Sequence, residues 1–156
     1  MKKVLIALDY DPTAKKIAES GYSIAKEMGA EVFLLHVISD PVYYASREYS
    51  PIMGFNGYMD MASIQKDTAE GLKKASIHFL EKTKDHLGGE NIQTIAKEGD
   101  FADVILKTAR EMHVDYIVIG SHSQKWLEKI VMGSVTEKVL KHTTIPLIII
   151  PTKKQQ

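Results

Sequence analysis

The amino-acid sequence predicts an α/β fold in which five parallel strands form a doubly wound sheet with helices on both faces. Four apolar runs rich in Val and Ile show no alternation with polar residues, which is typical of parallel strands covered on both faces. These runs span residues 4–8, 32–38, 116–119 and 147–150. Helical patterns separate them, and the alternating segment 91–99 predicts a further strand nearer an edge. Because strands and helices alternate and crossovers are right-handed, we expect the strand order 3-2-1-4-5.

The first two helices are predicted from their end residues and from the spacing of apolar side chains. Asp11 is a typical N-cap, and Pro12 suits the first helical position because an N–H there has no partner within the helix. Gly29 is a typical helix end, since glycine readily adopts the left-handed conformation. The second helix is long: its apolar periodicity covers residues 60–87, and the glycine pair 88–89 ends it.

The third and fourth helices each start at a side chain that can accept a backbone hydrogen bond. Asp100 is the predicted N-cap of the third helix. Ser134 and Glu137 form the pattern S-x-x-E of a capping box at the start of the fourth helix. Helical spacing then turns three apolar residues inward, which are Val135, Val139 and Leu140.

Length and composition indicate one domain over residues 1–152, followed by a short frayed tail at 153–156. Twenty basic and twenty acidic side chains cancel, so net charge recruits neither nucleic acid nor an anionic membrane. The chain has no cysteine, which excludes disulfides and thiolate metal sites. No apolar run is long enough for a signal peptide or a membrane span, so we expect a cytoplasmic protein.

Residues 39–60 fit none of the predicted elements and form a long insertion. Loops of this length are uncommon in compact domains and are usually lids, interfaces or disordered segments. Aromatic rings favour docking over disorder, and five of them lie here: Tyr43, Tyr44, Tyr49, Phe55 and Tyr58. We expect a flap that is at least partly ordered and that covers the crevice or a neighbouring subunit.

The predicted strand order places a ligand crevice beside the carboxyl ends of the first and fourth strands, where chain direction reverses. Asp9 and Gly120 stand at these two ends. The Asp9 carboxylate is suited to accept hydrogen bonds from two ribose hydroxyls, or it is only a turn acid. Gly133 and Ser134 open the fourth helix, whose free N–H groups and dipole suit a phosphate group. The capping box alone explains the same two residues, so both interpretations stay open.

Other residues near the crevice have ordinary explanations, and several kinds of site are excluded. Lys125 and Lys129 are interpreted as solvated, and Trp126 as a hydrophobic anchor of the loop. The histidines show no metal-binding spacing, and His36 lies in an apolar run typical of a core residue. No G-x-G-x-x-G motif, phosphate-binding P-loop or G-x-S-x-G elbow is present. Asp100 follows a glycine turn as a cap, which disfavours a phospho-receiver domain.

With these residues identified, the chain resembles the universal stress protein family. The nucleotide-binding branch has Gly, two residues, Gly, nine residues, and then Gly-Ser or Gly-Thr. Gly120, Gly133 and Ser134 keep this spacing, and Ser123 stands where the motif has its second glycine. "VLIALD" at 4–9 and "LLHVI" at 34–38 are also similar to the family. If position 123 requires a positive φ, its serine side chain costs about 1 kcal/mol.

The resemblance implies a cytoplasmic stress-response regulator that binds ATP, with or without Mg²⁺. The implied binding residues are Ala7, Asp9, Val37, Gly120, Ser123, Gly133, Ser134 and Val135. Among them, Asp9 would hold the ribose and the main chain at Val37 would contact adenine. The alternative is an interaction module of the same fold that binds no nucleotide. An enzyme is not favoured beyond weak ATP hydrolysis, because only Asp9 and Asp11 offer an acid pair.

The last predicted strand indicates a homodimer. "IPLIIIP" at 145–151 is short, apolar and bounded by prolines. In the order 3-2-1-4-5 it would be an exposed sheet edge, which invites pairing with a second copy. The family resemblance implies the same interface.

Overall fold

One parallel sheet of five strands lies at the centre of the computed structural model, which describes residues 1–8, 13–38, 68–121 and 133–152. All strand pairs are parallel, and the order is β3-β2-β1-β4-β5, which confirms the predicted topology. The strands are β1 (Lys3–Leu8), β2 (Glu31–Ile38), β3 (Ile92–Glu98), β4 (Tyr116–Gly120) and β5 (Leu147–Ile150). The weakly patterned segment near residue 95 is an edge strand, as expected.

Helices cover both faces of this sheet, which confirms the fold class. They are α1 (Ala14–Glu27), α2 (Thr68–Leu87), α3 (Phe101–Glu111) and α4 (Ser134–His142). One core lies between the sheet and the α1 and α2 helices, and the other lies between the sheet and the α3 and α4 helices. Successive side chains of a strand point to opposite faces, so each strand contributes to both cores.

Local sequence signals at three helix ends are confirmed. Gly29 has φ +66° after α1, and its N–H donates to the Lys26 carbonyl while Ala30 N–H donates to the Ala25 carbonyl. These two bonds form the Schellman motif that glycine permits. Gly88, with φ +69°, follows α2, and the Asp100 side chain accepts from Asp103 N–H at 3.1 Å before α3.

The described part of α1 begins at Ala14. Thr13 is its N-cap, with helical φ and ψ and no side-chain cap bond. The Thr13 carbonyl accepts a backbone bond from Ile17 N–H at 3.0 Å. Asp11 and Pro12 lie outside the described residues, as do residues 60–67 of the predicted second helix.

His36 is a core residue, as its apolar neighbours in the sequence predicted. Its side chain is fully buried on the α1 and α2 face of β2, where Nδ1 hydrogen-bonds Ser76 Oγ of α2. The ring meets Phe79 edge-on, with 5.6 Å between centroids. Burial lowers the pKa of His36 to about 3, because the charged imidazolium would lose its hydration there. The residue is therefore neutral at physiological pH.

None of the helices that the structure describes is long and apolar enough to cross a membrane. The insertion at 39–60 and the tail at 153–156 lie outside the described residues.

Candidate functional site

The carboxyl ends of β1 and β4 lie side by side at the centre of the sheet. β1 pairs with β2 on one side and β4 on the other, with Ile6 level with Val118. Chain order reverses between these two neighbours, and ligands of doubly wound sheets bind outside the strand ends at such a point. Asp9 directly follows β1 in the sequence, but Asp9 and Ser123 lie outside the described residues, as do Lys125, Trp126 and Lys129.

Gly120 ends β4 where two other segments approach its backbone closely. A Cβ atom at this position would lie 2.5 Å from Ile17 Cδ1 and 2.9 Å from Thr152 Cγ2. Gly120 is not among the glycines with positive φ in the described residues. The glycine is therefore required by packing against α1 and the segment after β5, and not by the left-handed conformation.

The loop after β4 leaves and returns at adjacent points. Ser121 N–H donates to the Ile150 carbonyl at 2.9 Å, which extends the β4 and β5 pairing by one residue. Gly133 N–H then donates to the Ser121 carbonyl, also at 2.9 Å. The start of α4 is therefore fixed against the end of β4, and Gly120 and Gly133 both lie where the strands have their carboxyl ends.

Thr136 supplies a second connection between α4 and β4. Its Oγ1 donates to the Gly120 carbonyl at 2.7 Å, and the residue is buried. This contact was not predicted from the sequence. Helical spacing could have found it, because Thr136 lies three positions before the buried Val139 and so shares its inward face.

The predicted capping box at the start of α4 is wrong. Gly133 is the N-cap, with extended φ −62° and ψ 154°, and Ser134 is the exposed first residue of the helix. Glu137 pairs instead with Lys141 at 3.1 Å, one turn further along the helix. With the helix placed in this way Val139 is buried as predicted, but Leu140 is 47% exposed and does not point inward.

The first turn of α4 presents backbone donors near the carboxyl end of β4. Glu137 N–H donates to the Gly133 carbonyl at 2.9 Å and is the first amide with an acceptor inside the helix. The amides of Ser134, Val135 and Thr136 precede it, so they have no intrahelical acceptor. Together with the positive end of the helix dipole, such amides favour anions.

An ion-pair cluster beside α4 connects this helix to α3. Lys138 Nζ lies 3.2 Å from carboxylate oxygens of both Asp100 and Asp103. The pKa of Asp100 lies below its ordinary value of 3.8. The main cause is the backbone hydrogen bond from Asp103 N–H, and the hydrogen bond and positive charge of Lys138 add to it. Hydrogen bonds to the two carboxylates raise the pKa of Lys138. All three side chains are exposed, so this cluster adds little stability.

Ala7 and Val37 lie on the α3 and α4 face of the sheet, in the core against which Val135 packs. The Val37 side chain is buried, so only its main chain can meet a ligand. The neighbouring Ile38 carbonyl accepts Gly99 N–H from the β3 side at 2.9 Å. Because successive carbonyls of a strand point in opposite directions, the Val37 carbonyl points to the β1 side. The last paired residue of β1, Leu8, is level with His36, so this carbonyl lies beyond the described end of β1.

Nothing in the part of the chain that the structure describes indicates a metal centre. No group of three or more His, Asp or Glu side chains there could hold a metal ion. The described carboxyl ends of the strands offer backbone amides, carbonyls and hydroxyls, which are groups that can form hydrogen bonds with a ligand.

Comparison with known proteins identifies relatives along the whole chain. The model of the Universal stress protein family matches residues 1–151. Universal stress protein YxiE of Bacillus subtilis is 29% identical over 150 residues, covering 95% of this chain and 97% of the relative. Universal stress protein MJ0577 of Methanocaldococcus jannaschii is 28% identical over 155 residues, covering 97% of this chain and 96% of the relative.

Solved structures show the same architecture. A structure of MJ0577 superposes with a TM-score of 0.75 at 26% identity, covering 99% of this chain and 98% of that one. A universal stress protein in complex with cAMP superposes with a TM-score of 0.61 at 16% identity, covering 97% of both chains. The second likeness shows the fold alone.

Proposed function

Because this chain belongs to the universal stress protein family, we propose that it is a cytoplasmic stress-response regulator that binds ATP at the carboxyl ends of β1 and β4. The phosphates lie at the first turn of α4, the ribose beside Asp9, and the adenine against the main chain of Val37. The protein acts through the ligand-bound shape it presents to partners, and no residue is assigned a catalytic role.

The observation that carries this proposal is the double attachment of α4 to β4. The Gly133 N–H bond to the Ser121 carbonyl and the Thr136 hydroxyl bond to the Gly120 carbonyl support a fixed position for the first helical turn. The amides of Ser134 and Val135 then face the crevice as pre-oriented donors for phosphate oxygens. A pre-oriented site binds more tightly because less ordering is required on binding.

The direction of the Val37 carbonyl supports adenine as the base. A carbonyl accepts a hydrogen bond from the adenine 6-amino group and repels the 6-oxo group of hypoxanthine or guanine. The relative solved with cAMP binds a ligand with the same base. Asp9 follows β1 directly in the sequence, where a carboxylate can accept from both ribose hydroxyls.

Titration calorimetry and thermal unfolding with ATP, with ATP and Mg²⁺, and with ITP test the proposal. A hundredfold excess of ligand over its Kd stabilises the fold by about 2.7 kcal/mol. We expect ATP to raise the Tm. We expect ITP to bind about fivefold to a hundredfold more weakly than ATP, since an unsatisfied polar pair costs about 1–3 kcal/mol. Comparison of the first two titrations decides whether Mg²⁺ takes part.

Gly133→Val is the matched variant for these titrations. The φ and ψ of Gly133 are open to valine, so the fold should persist with a cap loss of about 1 kcal/mol, while a side chain should block approach of the phosphates. Retention of wild-type ATP affinity by this variant, or absence of any ATP binding by wild type, would contradict the proposed site.

Ser123 favours the second candidate function, a dimeric interaction module of the same fold that binds no nucleotide. A serine replaces the glycine of the motif there. Ser123→Gly distinguishes the two functions. If the serine blocks the site, the variant gains ATP binding that wild type lacks. If the wild-type site already binds ATP, the variant binds it equally well or more tightly.

We also propose that the protein forms a homodimer through β5. The β3 edge carries polar side chains engaged with acidic partners: Gln93 Nε2 donates to Glu31 at 2.6 Å, and Lys97 Nζ to Glu111 at 3.2 Å. The β5 edge, "LIII", carries none. Polar and charged residues protect sheet edges from pairing, so the unprotected edge is the one available to a second copy.

A further inference from the structure

Ser121 and Thr152 join the segments that follow β4 and β5. Thr152 N–H donates to Ser121 Oγ at 3.0 Å, and the two hydroxyls share a second hydrogen bond, also of 3.0 Å. Thr152 is only 5% exposed although it lies beyond the last strand. Its Cγ2 methyl group packs against Gly120, where an added Cβ would approach it to 2.9 Å.

Every polar group of Ser121 is engaged in this arrangement. Its N–H donates to Ile150, its carbonyl accepts from Gly133 N–H, and its hydroxyl contacts Thr152. The position of the Ser121 carbonyl, and with it the position of the Gly133 amide, therefore depends on the segment after β5. The segment after β5 is not part of the loop that carries the glycine-rich spacing, so that spacing does not reveal the dependence.

We propose that Ser121 and Thr152 are positioning residues of the nucleotide site. The inference rests on the proposed function, because the ligand whose phosphates they help to place is the one proposed above. The Thr152 bonds fix Ser121, the Ser121 carbonyl holds Gly133 N–H, and the next amides of α4 stay aligned toward the phosphates. Without the hydroxyl of Thr152, the Ser121 side chain keeps only the bond from Thr152 N–H, so Ser121 is held less firmly and the alignment of the Gly133 amide is loosened.

Thr152→Val removes the hydroxyl but keeps the shape and the methyl group that packs on Gly120. Thr152→Ser keeps the hydroxyl and is the rescue variant. Thr143→Val is the matched control, because Thr143 Oγ1 accepts from Ile145 N–H at 2.9 Å and donates to its carbonyl at 2.8 Å. That hydroxyl follows the other end of α4, so its loss should lower stability without changing the phosphate site.

The first measurement is the Kd of ATP by titration calorimetry for each variant. Loss of one hydrogen bond should raise the Kd about threefold to tenfold in Thr152→Val. Thr152→Ser and Thr143→Val should bind like wild type. Equal Kd values in wild type and Thr152→Val would overturn the inference while leaving the proposed function intact.

The second measurement is hydrogen exchange of the Gly133 amide in ligand-free protein, followed by NMR. Exchange should be about threefold to tenfold faster in Thr152→Val, because the acceptor of this amide is less firmly held. Thr143→Val should leave it unchanged. Unaltered Gly133 exchange in Thr152→Val would also overturn the inference. If wild type binds no ATP, the proposed function fails and the nucleotide role of both residues fails with it.

Discussion

Thr136 and Gly120 are joined by a hydrogen bond of 2.7 Å across 16 residues of sequence, from a helical hydroxyl to the last carbonyl of β4. Without this bond, the Gly120 carbonyl would stand at the end of β4, beside the buried Thr136 side chain, and would lack this donor. The bond connects the inward face of α4 to the central sheet. It makes α4 part of the crevice wall.

Thr136→Val should destabilise the fold by about 1–3 kcal/mol, because it removes the hydroxyl and leaves the Gly120 carbonyl without that partner. Urea unfolding monitored by circular dichroism measures the change. The matched control is Thr108→Val: Thr108 Oγ1 is buried in α3 and has no hydrogen-bond partner among the described residues. The same substitution should there be neutral or stabilising, since it removes a polar group without a partner. Equal losses in the two variants would contradict the role given to the Thr136 hydroxyl.

Gly120→Ala should destabilise the protein by about 1–3 kcal/mol through overpacking. The added Cβ would lie 2.5 Å from Ile17 Cδ1. Ile17→Val removes that methyl group and alone costs about 0.5–1.5 kcal/mol. We expect the double variant to lose less unfolding free energy than the sum of the two single losses. A double-mutant cycle in urea measures this difference. Strictly additive losses would show that the close contact with Ile17 is not what requires the glycine.

His36 should make the stability of the fold sensitive to mild acid. Its folded pKa, about 3, lies below its ordinary value of 6.5 because of burial. Between these values the unfolded chain binds the proton and the folded one does not, so stability is full above about pH 6.5 and falls as pH decreases. The slope approaches about 1.4 kcal/mol per pH unit.

His36→Asn tests this expectation, because an amide can still hydrogen-bond Ser76 but does not titrate. Urea midpoints at pH 7, 6, 5 and 4 should fall less steeply for the variant than for wild type. The other histidines remain in both proteins, so the difference between the two slopes reports on His36. Parallel slopes would contradict the assignment of a neutral core histidine.

Two proline variants test the homodimer. Ile117 N–H donates to the Pro146 carbonyl and Ser121 N–H to the Ile150 carbonyl, so alternate residues of β5 point to β4. The backbone of Ile149 therefore points to the open edge. Ile149→Pro should keep the fold and give a monomer in sedimentation at micromolar concentration, where wild type sediments as a dimer.

Ile148→Pro is the control for that experiment. The Ile148 backbone points to β4, so proline there should break the internal ladder and unfold or strongly destabilise the protein. A wild-type protein that is monomeric at this concentration, or an Ile149→Pro variant that stays dimeric, would contradict pairing through β5.

Local patterns predicted the elements of this fold because their causes lie within a few residues. The apolar run at 32–38 is a central strand since both faces of it are covered, and Gly29 and Asp100 act on their own helix ends. The fourth helix begins at Ser134 as predicted, but its N-cap is Gly133 and not Ser134, because both residue types suit an N-cap. Two tertiary bonds, from Gly133 N–H to the Ser121 carbonyl and from Thr136 to the Gly120 carbonyl, accompany the observed placement.

Contacts between distant segments account for what the sequence did not reveal. The requirement for glycine at position 120 comes from Ile17 and Thr152, which are far from it in the chain. Thr152 directly precedes the predicted tail, yet it is buried against Ser121. The core position of His36 was predicted, but its partner Ser76 was not, because 40 residues separate them.

The closure between Ser121 and Gly133 has a consequence for how this protein can be rebuilt. The two anchor residues are held by the sheet and by α4, so the intervening residues 122–132 connect points whose separation is already set. Entropy of chain closure grows slowly with length, and doubling a flexible loop costs only about 0.6 kcal/mol. A change in the length of this connection therefore alters the closure entropy only slightly, and the hydrogen bond between Ser121 and Gly133 marks the two points at which a connection of another length would have to join.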